Sequence, residues 1–176
     1  MATKKSMRFL FGILMISTWV VGYSIQAGAE TLKFRTAGKM VQSEGLSIPD
    51  VEGHRISLGL RDGLAFFEDG EVAIFKAFST TDGIAGKESL SQGYLLLTFV
   101  DGSTIIASFR QTSDPDPEGK LASYSKLTGE ILKGTGRFEG IKGNSSGEGK
   151  QFKPEKGELS GKSTISYTLT YTPPSK

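Results

Sequence analysis

The sequence predicts a single all-β domain. Apolar and polar residues alternate with period two in several runs, the signature of strands with two distinct faces. Asp-Gly pairs, a strong short hairpin signal, fall between those runs. No segment after Glu30 carries the long 3.6-residue apolar stripe of an amphipathic helix.

The elements follow in order. Thr31 to Met40 is the first strand, with Leu32 and Phe34 alternating with Lys33 and Arg35. Gln42 to Glu52, which holds Pro49, reads as the first connection. His54 to Leu60 sets Ile56, Leu58 and Leu60 on one face. Leu64 to Phe67 and Val72 to Phe78 flank Asp69-Gly70, and Tyr94 to Val100 and Thr104 to Arg110 flank Asp101-Gly102. "TSDPDPEG", Thr112 to Gly119, is turn-forming, and Lys126 to Lys133 is a shorter strand. Gly143 to Gly157 is rich in Gly and Lys and reads as a long loop. Thr164 to Thr172 is the clearest strand, with Ile165, Tyr167, Leu169 and Tyr171 on one face. The runs number about eight, with no linker and no repeat to divide them.

Asp101-Gly102 reads as a two-residue turn, with Val100 opposite Ser103. That pairing puts Tyr94, Leu96 and Thr98 on one face with Ile105, Ala107 and Phe109. The other face still holds Leu95, Leu97, Phe99 and Ile106. An antiparallel sheet with one wet face would not be apolar on both. The expectation is that a neighbouring subunit, in a homodimer or homotrimer, covers the outer face of these middle strands. A sandwich with its outer face under long loops is the alternative.

The first 29 residues read as a secretory signal peptide. Lys4, Lys5 and Arg8 precede an apolar run from Phe9 to Ile25, and Ala27-Gly28-Ala29 supplies the small-x-small cleavage pattern. The expected mature domain is residues 30–176, exported to a periplasm or secreted, without stable membrane insertion after cleavage near Ala29. The leader holds three of the 21 Lys and Arg and none of the 19 Asp and Glu, so the mature chain has a net charge of −1. That balance argues against a nucleic-acid partner. With no Cys, disulfides, thiolate zinc sites and thiol catalysis are excluded. With His54 as the lone histidine there is no multi-histidine metal site, and neither a metal nor another cofactor is expected.

"GTGRFEGIKG", Gly134 to Gly143, invites a phosphate-loop reading and fails it. The glycines are spaced G-x-G-x-x-x-G, no helix follows, and five residues, where a P-loop has four, separate Gly143 from Gly149 before Lys150-Gln151. The structural reading is a barrel corner. Gly134 and Gly136 bend the strand, and Phe138 and Ile141 turn inward while Arg137, Glu139 and Lys142 stay outside.

This segment, with its polar continuation and the final "TISYTLTYT", resembles the late part of the allene oxide cyclase and dirigent protein barrel group. Gly134, Thr135, Gly136, Phe138 and Gly143 carry the resemblance, with Gly140 in the same structural glycine motif, and it runs from about Ser103 to Tyr171. It implies an eight-stranded antiparallel β-barrel of the allene oxide cyclase-like, calycin-related kind, commonly dimeric or trimeric. It implies no activity, since the chain has no counterpart of the cyclase cysteine and no residue-by-residue match to the dirigent Asp and Arg side chains.

In such a barrel the expected role is non-catalytic binding of a small apolar or amphipathic ligand in the lumen, lined by Tyr94, Leu96, Thr98, Ile105, Ala107 and Phe109. An isomerase or cyclase working in the lumen is an alternative, with Tyr94, Thr98, Arg110 and His54 as its nominated polar groups. A structural oligomeric envelope protein is another. No catalytic residue is assigned.

Overall fold

The computed structural model of the protein describes residues 28–173. The leader expected at 1–29 lies almost wholly outside them. The elements are β1 (Glu30–Ser47), β2 (His54–Phe67), β3 (Val72–Ile84), β4 (Ser89–Phe99), β5 (Thr104–Pro115), β6 (Ser123–Thr135), a short 3₁₀ helix (Gly136–Phe138), β7 (Lys142–Gln151) and β8 (Ser163–Thr172). Each strand pairs antiparallel with the next, and β1 pairs with β8, so the sheet closes into an eight-stranded barrel. Closure leaves no sheet edge to protect. Among the described residues no helix is long and apolar enough to cross a membrane.

The strand count agrees with the sequence reading through two compensating differences. The segments His54–Leu60 and Leu64–Phe67 are one strand, β2, which runs through Asp62-Gly63. Gly63 stays in the ladder because it lies against β1, where a Cβ would overlap the Ala37 carbonyl oxygen. Most of the expected loop after Gly143 is instead β7. Both flanking connections are also shorter than expected. β1 runs on to Ser47 past a bulge at Val41, and β5 runs on to Pro115. The turn that follows is held by the Asp116 carboxylate, which accepts from the backbone N–H groups of Glu118, Lys120 and Leu121.

The hairpin turns differ by one residue from expectation, and that residue decides which face of β4 looks inward. The Phe99 N–H donates to the Ser103 carbonyl at 2.9 Å, and the Gly102 N–H donates to the Phe99 carbonyl at 3.0 Å. The loop is therefore Val100-Asp101-Gly102, three residues long. A two-residue type I′ turn needs positive φ at both central residues. Gly102 has φ of +82°, but among the described residues no non-glycine residue has positive φ. Asp101 instead accepts from the Ser103 N–H at 2.9 Å, which favours an ordinary turn followed by a left-handed glycine. Phe67 to Glu71 repeats the device, with Gly70 at +89°. As a result Leu97 faces Ile105 and Leu95 faces Ala107. A one-residue slip exchanges the two faces of a strand.

Candidate functional site

The lumen has two unlike halves. At one end the inward side chains are large and apolar. Phe34 stacks on Phe67 and on Tyr167 with centroids 4.8 Å apart in both pairs, Phe67 meets Phe99 at 5.3 Å, and Phe99 meets Phe138 at 4.8 Å. Leu97, Ile105 and Leu169 fill the space between and are almost wholly buried. The glycine segment closes this end. Gly136 takes φ of +60° at the corner, against the Ser103 side chain, and Phe138 and Ile141 turn into the core as expected. Gly134 and Gly143 lie against the backbone of Phe138 and of Thr170, and Gly140 has φ of +82° in the turn. Arg137 clamps the plug from outside. Its guanidinium lies 4.7 Å from the ring centroids of both Phe99 and Phe138 and bonds the Glu71 carboxylate at 2.5 Å and 2.6 Å.

Toward the other end the inward side chains become small and polar, and the barrel opens into a cup of about 440 Å³. Its floor is Phe75, Phe109, Ile165 and Tyr167. Its walls carry hydroxyls and amides that bond one another. Thr81 and Ser91 are 2.8 Å apart, Ser113 and Ser125 are 2.9 Å apart, and the Gln111 amide donates to Ser113 at 2.9 Å and to Ser125 at 3.3 Å. This pre-set network holds the wall side chains in place.

Arg61 projects into the cup from β2, on the inward parity of Ala65 and Phe67. It donates to the Gly161 carbonyl at 3.1 Å and to the Ser163 hydroxyl at 3.0 Å, with Ser160 at 3.5 Å. Burial depresses its pKa, opposed by the nearby Tyr167 phenol oxygen. Burial raises the Tyr167 phenol well above its ordinary value of 10.0, against the pull of Arg61. The phenol therefore stays protonated and remains a hydrogen-bond donor.

The expected lumen set is divided by the corrected register. Ile105, Ala107 and Phe109 point inward, the first two in the packed half and Phe109 at the floor of the cup. Tyr94, Leu96 and Thr98 point outward. Tyr94 is 56% exposed and joins Leu58 and Phe78 along a shallow outer groove of about 1040 Å³. The larger concavity of the molecule is thus on its outside and is not the lumen. Arg110, also nominated, is on the outer face, and His54 is at the outer rim of the mouth. The imidazole joins Asp50 at 2.7 Å and Asp82 at 2.8 Å, so it ties the β1–β2 turn to β3. Among the described residues no cluster of three or more His, Asp and Glu side chains is arranged to hold a metal ion.

Sequence reasoning missed Arg61 because the strand was ended at Leu60. Counting inward in twos from Phe67 through Ala65 and Gly63 reaches Arg61 directly.

No family model and no curated protein matches the chain. Three solved chains do, two dirigent proteins among them. One pterocarpan synthase dirigent protein matches with a TM-score of 0.49 and 16% identity, covering 92% of this chain and 98% of that one. A second matches with a TM-score of 0.45 and 16% identity, covering 85% of this chain and 97% of that one. Both lie in the barrel group that the glycine segment resembles. At this level of similarity neither bears on what the chain binds or does.

Proposed function

We propose that the chain holds a small amphipathic molecule in the open half of its lumen without transforming it. The observation that carries this reading is the cup itself, about 440 Å³ with an aromatic floor and hydroxyl-lined walls. Sites for small molecules combine an apolar surface with a few fixed polar groups in this way. Arg61 and the protonated Tyr167 add donors, and neither exchanges a proton readily near neutral pH. Export past a cleaved leader belongs to the same proposal and rests on the pattern before Glu30.

The test is native mass spectrometry of the chain purified from its own host's exported fraction. The expected result is a reproducible small extra mass that disappears on denaturation. It should be missing from a Ser91→Trp variant that fills the cup. A bare mass for the native protein, together with failure to take up any amphipathic probe, would overturn the reading.

The outer face favours a second, compatible reading, self-association. Leu58, Leu64, Phe66, Ile74, Phe78 and Tyr94 form an exposed apolar surface across β2–β4. Asp62 and Lys76 are cross-strand neighbours within it. Among the described residues neither makes an ion pair, so each is free to pair with its opposite on a second copy. The same face in a homodimer or homotrimer would bury what a monomer leaves wet. Sedimentation of the wild type and of Ile74→Asp checks this. The expected outcome is an oligomer that the substitution dissociates, and a wild-type monomer would rule it out.

A further inference from the structure

The cup is electrostatically one-sided. Arg61 stands in its wall, and Lys87 also lines it. Among the described residues no Asp or Glu lines it, and none lies within ion-pair distance of Arg61. Charges taken out of water are ordinarily paired, and an Arg facing a cavity without a carboxylate leaves its charge for something else to balance.

The donor count points the same way. A guanidinium has five N–H donors in a fixed fork. Among the described residues Arg61 has only Gly161, Ser163 and the longer Ser160 contact as partners. No side-chain nitrogen or oxygen among the described residues is both buried and unpartnered. The Arg61 Nε–H, which has no partner among them, is therefore not sealed off, and the side chain lines the open space of the cup. The Tyr167 hydroxyl, which has no hydrogen-bond partner among the described residues, reaches the same space beside Arg61. Two donors from β2 and β8 thus face one volume, above an aromatic floor of Phe75, Phe109 and Tyr167.

We propose that the molecule held in the cup carries an anionic oxygen group of the carboxylate or sulfonate class, bound by the Arg61 guanidinium and the Tyr167 hydroxyl. Its apolar part rests on the aromatic floor, and its other polar groups meet the serine hydroxyls of the wall. Lys87 at the rim steers such an anion inward. The same cup disfavours cationic ligands, because it offers them no counter-charge. This inference rests on the lumen-binding reading, and its test separates the two.

Two dyes of one skeleton serve as probes, anilinonaphthalene sulfonate and its uncharged parent phenylnaphthylamine. Affinities are measured by fluorescence for the wild type, Arg61→Met, Arg61→Lys and Ser91→Trp, with thermal melts confirming that each variant is folded. The wild type is expected to prefer the sulfonate by about tenfold or more, the size of a charge-assisted hydrogen bond. Arg61→Met should bring the two dyes close to parity while leaving phenylnaphthylamine affinity nearly unchanged. Arg61→Lys should keep part of the preference, which a purely structural role for Arg61 would not require. Dyes that both bind in the cup with a preference unchanged in Arg61→Met would overturn the anion inference and leave the lumen reading standing. Dye signals that survive Ser91→Trp undiminished, or no binding by either dye, would overturn the lumen reading and this inference with it.

Discussion

The two ends of the lumen are built on the same strands by the same alternation, yet one is solid and the other hollow. Along β4 the inward residues run Phe99, Leu97, Leu95, Gly93, Ser91, Ser89, and along β8 they run Leu169, Tyr167, Ile165, Ser163. Size and apolarity fall together from the plugged end to the mouth. Large side chains in close contact hold the fold through burial. Small hydroxylated ones give up that stabilisation and leave room. The lesson is that a strand's inward face need not have one function. Close packing is concentrated near the glycine plug, and open space lies where the apolar pattern fades.

Paired substitutions at the two ends test this division most severely. Phe34 is buried and stacks on two rings, so Phe34→Ala should cost about 3–5 kcal/mol, as large aromatic truncations do. Ser125→Ala, at an inward position in the cup, should cost about 1 kcal/mol, the loss of one modest hydrogen-bond partnership. Urea denaturation measures both. Equal losses would mean that the hydroxyl wall holds the fold as firmly as the aromatic stack. At the corner of the plug, Gly136→Ala should cost about 1–3 kcal/mol, because the residue has φ of +60° and its new methyl would meet Ser103.

The plugged end was legible in the sequence and the hollow end was not, for physical reasons. Phe138 and Ile141 between glycines announce a tight turn over a core, and they do turn inward. β7, by contrast, has Gly143, Ser145, Gly147 and Gly149 on its inward side, so it shows no apolar alternation. Those positions are small because β8 crowds them. A Cβ at Gly149 would lie 2.6 Å from Ile165, so the strand gave up the residues by which strands are recognised. Arg61 was hidden by an Asp-Gly pair that sits inside a ladder, whereas identical pairs at 69–70 and 101–102 do turn the chain. Dipeptides report a capacity for turning, and the packing around them decides whether it is used. The outward placement of Tyr94, Leu96 and Thr98 has the same origin, a loop of three residues in place of two.

The fastening at each end should also differ in strength. Arg137 holds the plug through an ion pair and two ring contacts, but it is 43% exposed, so solvent screens the charge. Arg137→Met should cost about 1 kcal/mol, mostly from the cation–ring contacts, while Arg137→Lys should recover little because its point charge does not stack as a plane. Full recovery by Lys in a denaturation series would show that charge alone matters there.

The smallest expected effect is at the mouth, and pH should separate it from the plug. His54 bonds Asp50 and Asp82 through its two ring nitrogens, an arrangement that uses both donors of the imidazolium. The Asp50 hydrogen bond, then that of Asp82, raises the His54 pKa above its ordinary 6.5. A raised folded-state value means that this contact contributes fully below the unfolded value and fades as pH climbs through the folded one. At the plug, the Ser103 backbone N–H, with smaller help from Arg137, lowers the Asp101 pKa below 3.8. That contribution is present above the unfolded carboxylate value and is lost as pH falls through the folded one. The mouth should therefore loosen as pH rises through the His54 transition, and the plug only in acid. Proton NMR titration of the single histidine should place its pKa above 6.5. Hydrogen exchange at Val51 and His54, corrected for intrinsic rates, should accelerate across that transition while exchange at Ser103 does not. A histidine that titrates at its ordinary value or below, with exchange at the mouth flat through neutrality, would show that the β1–β2 turn is held without the imidazolium.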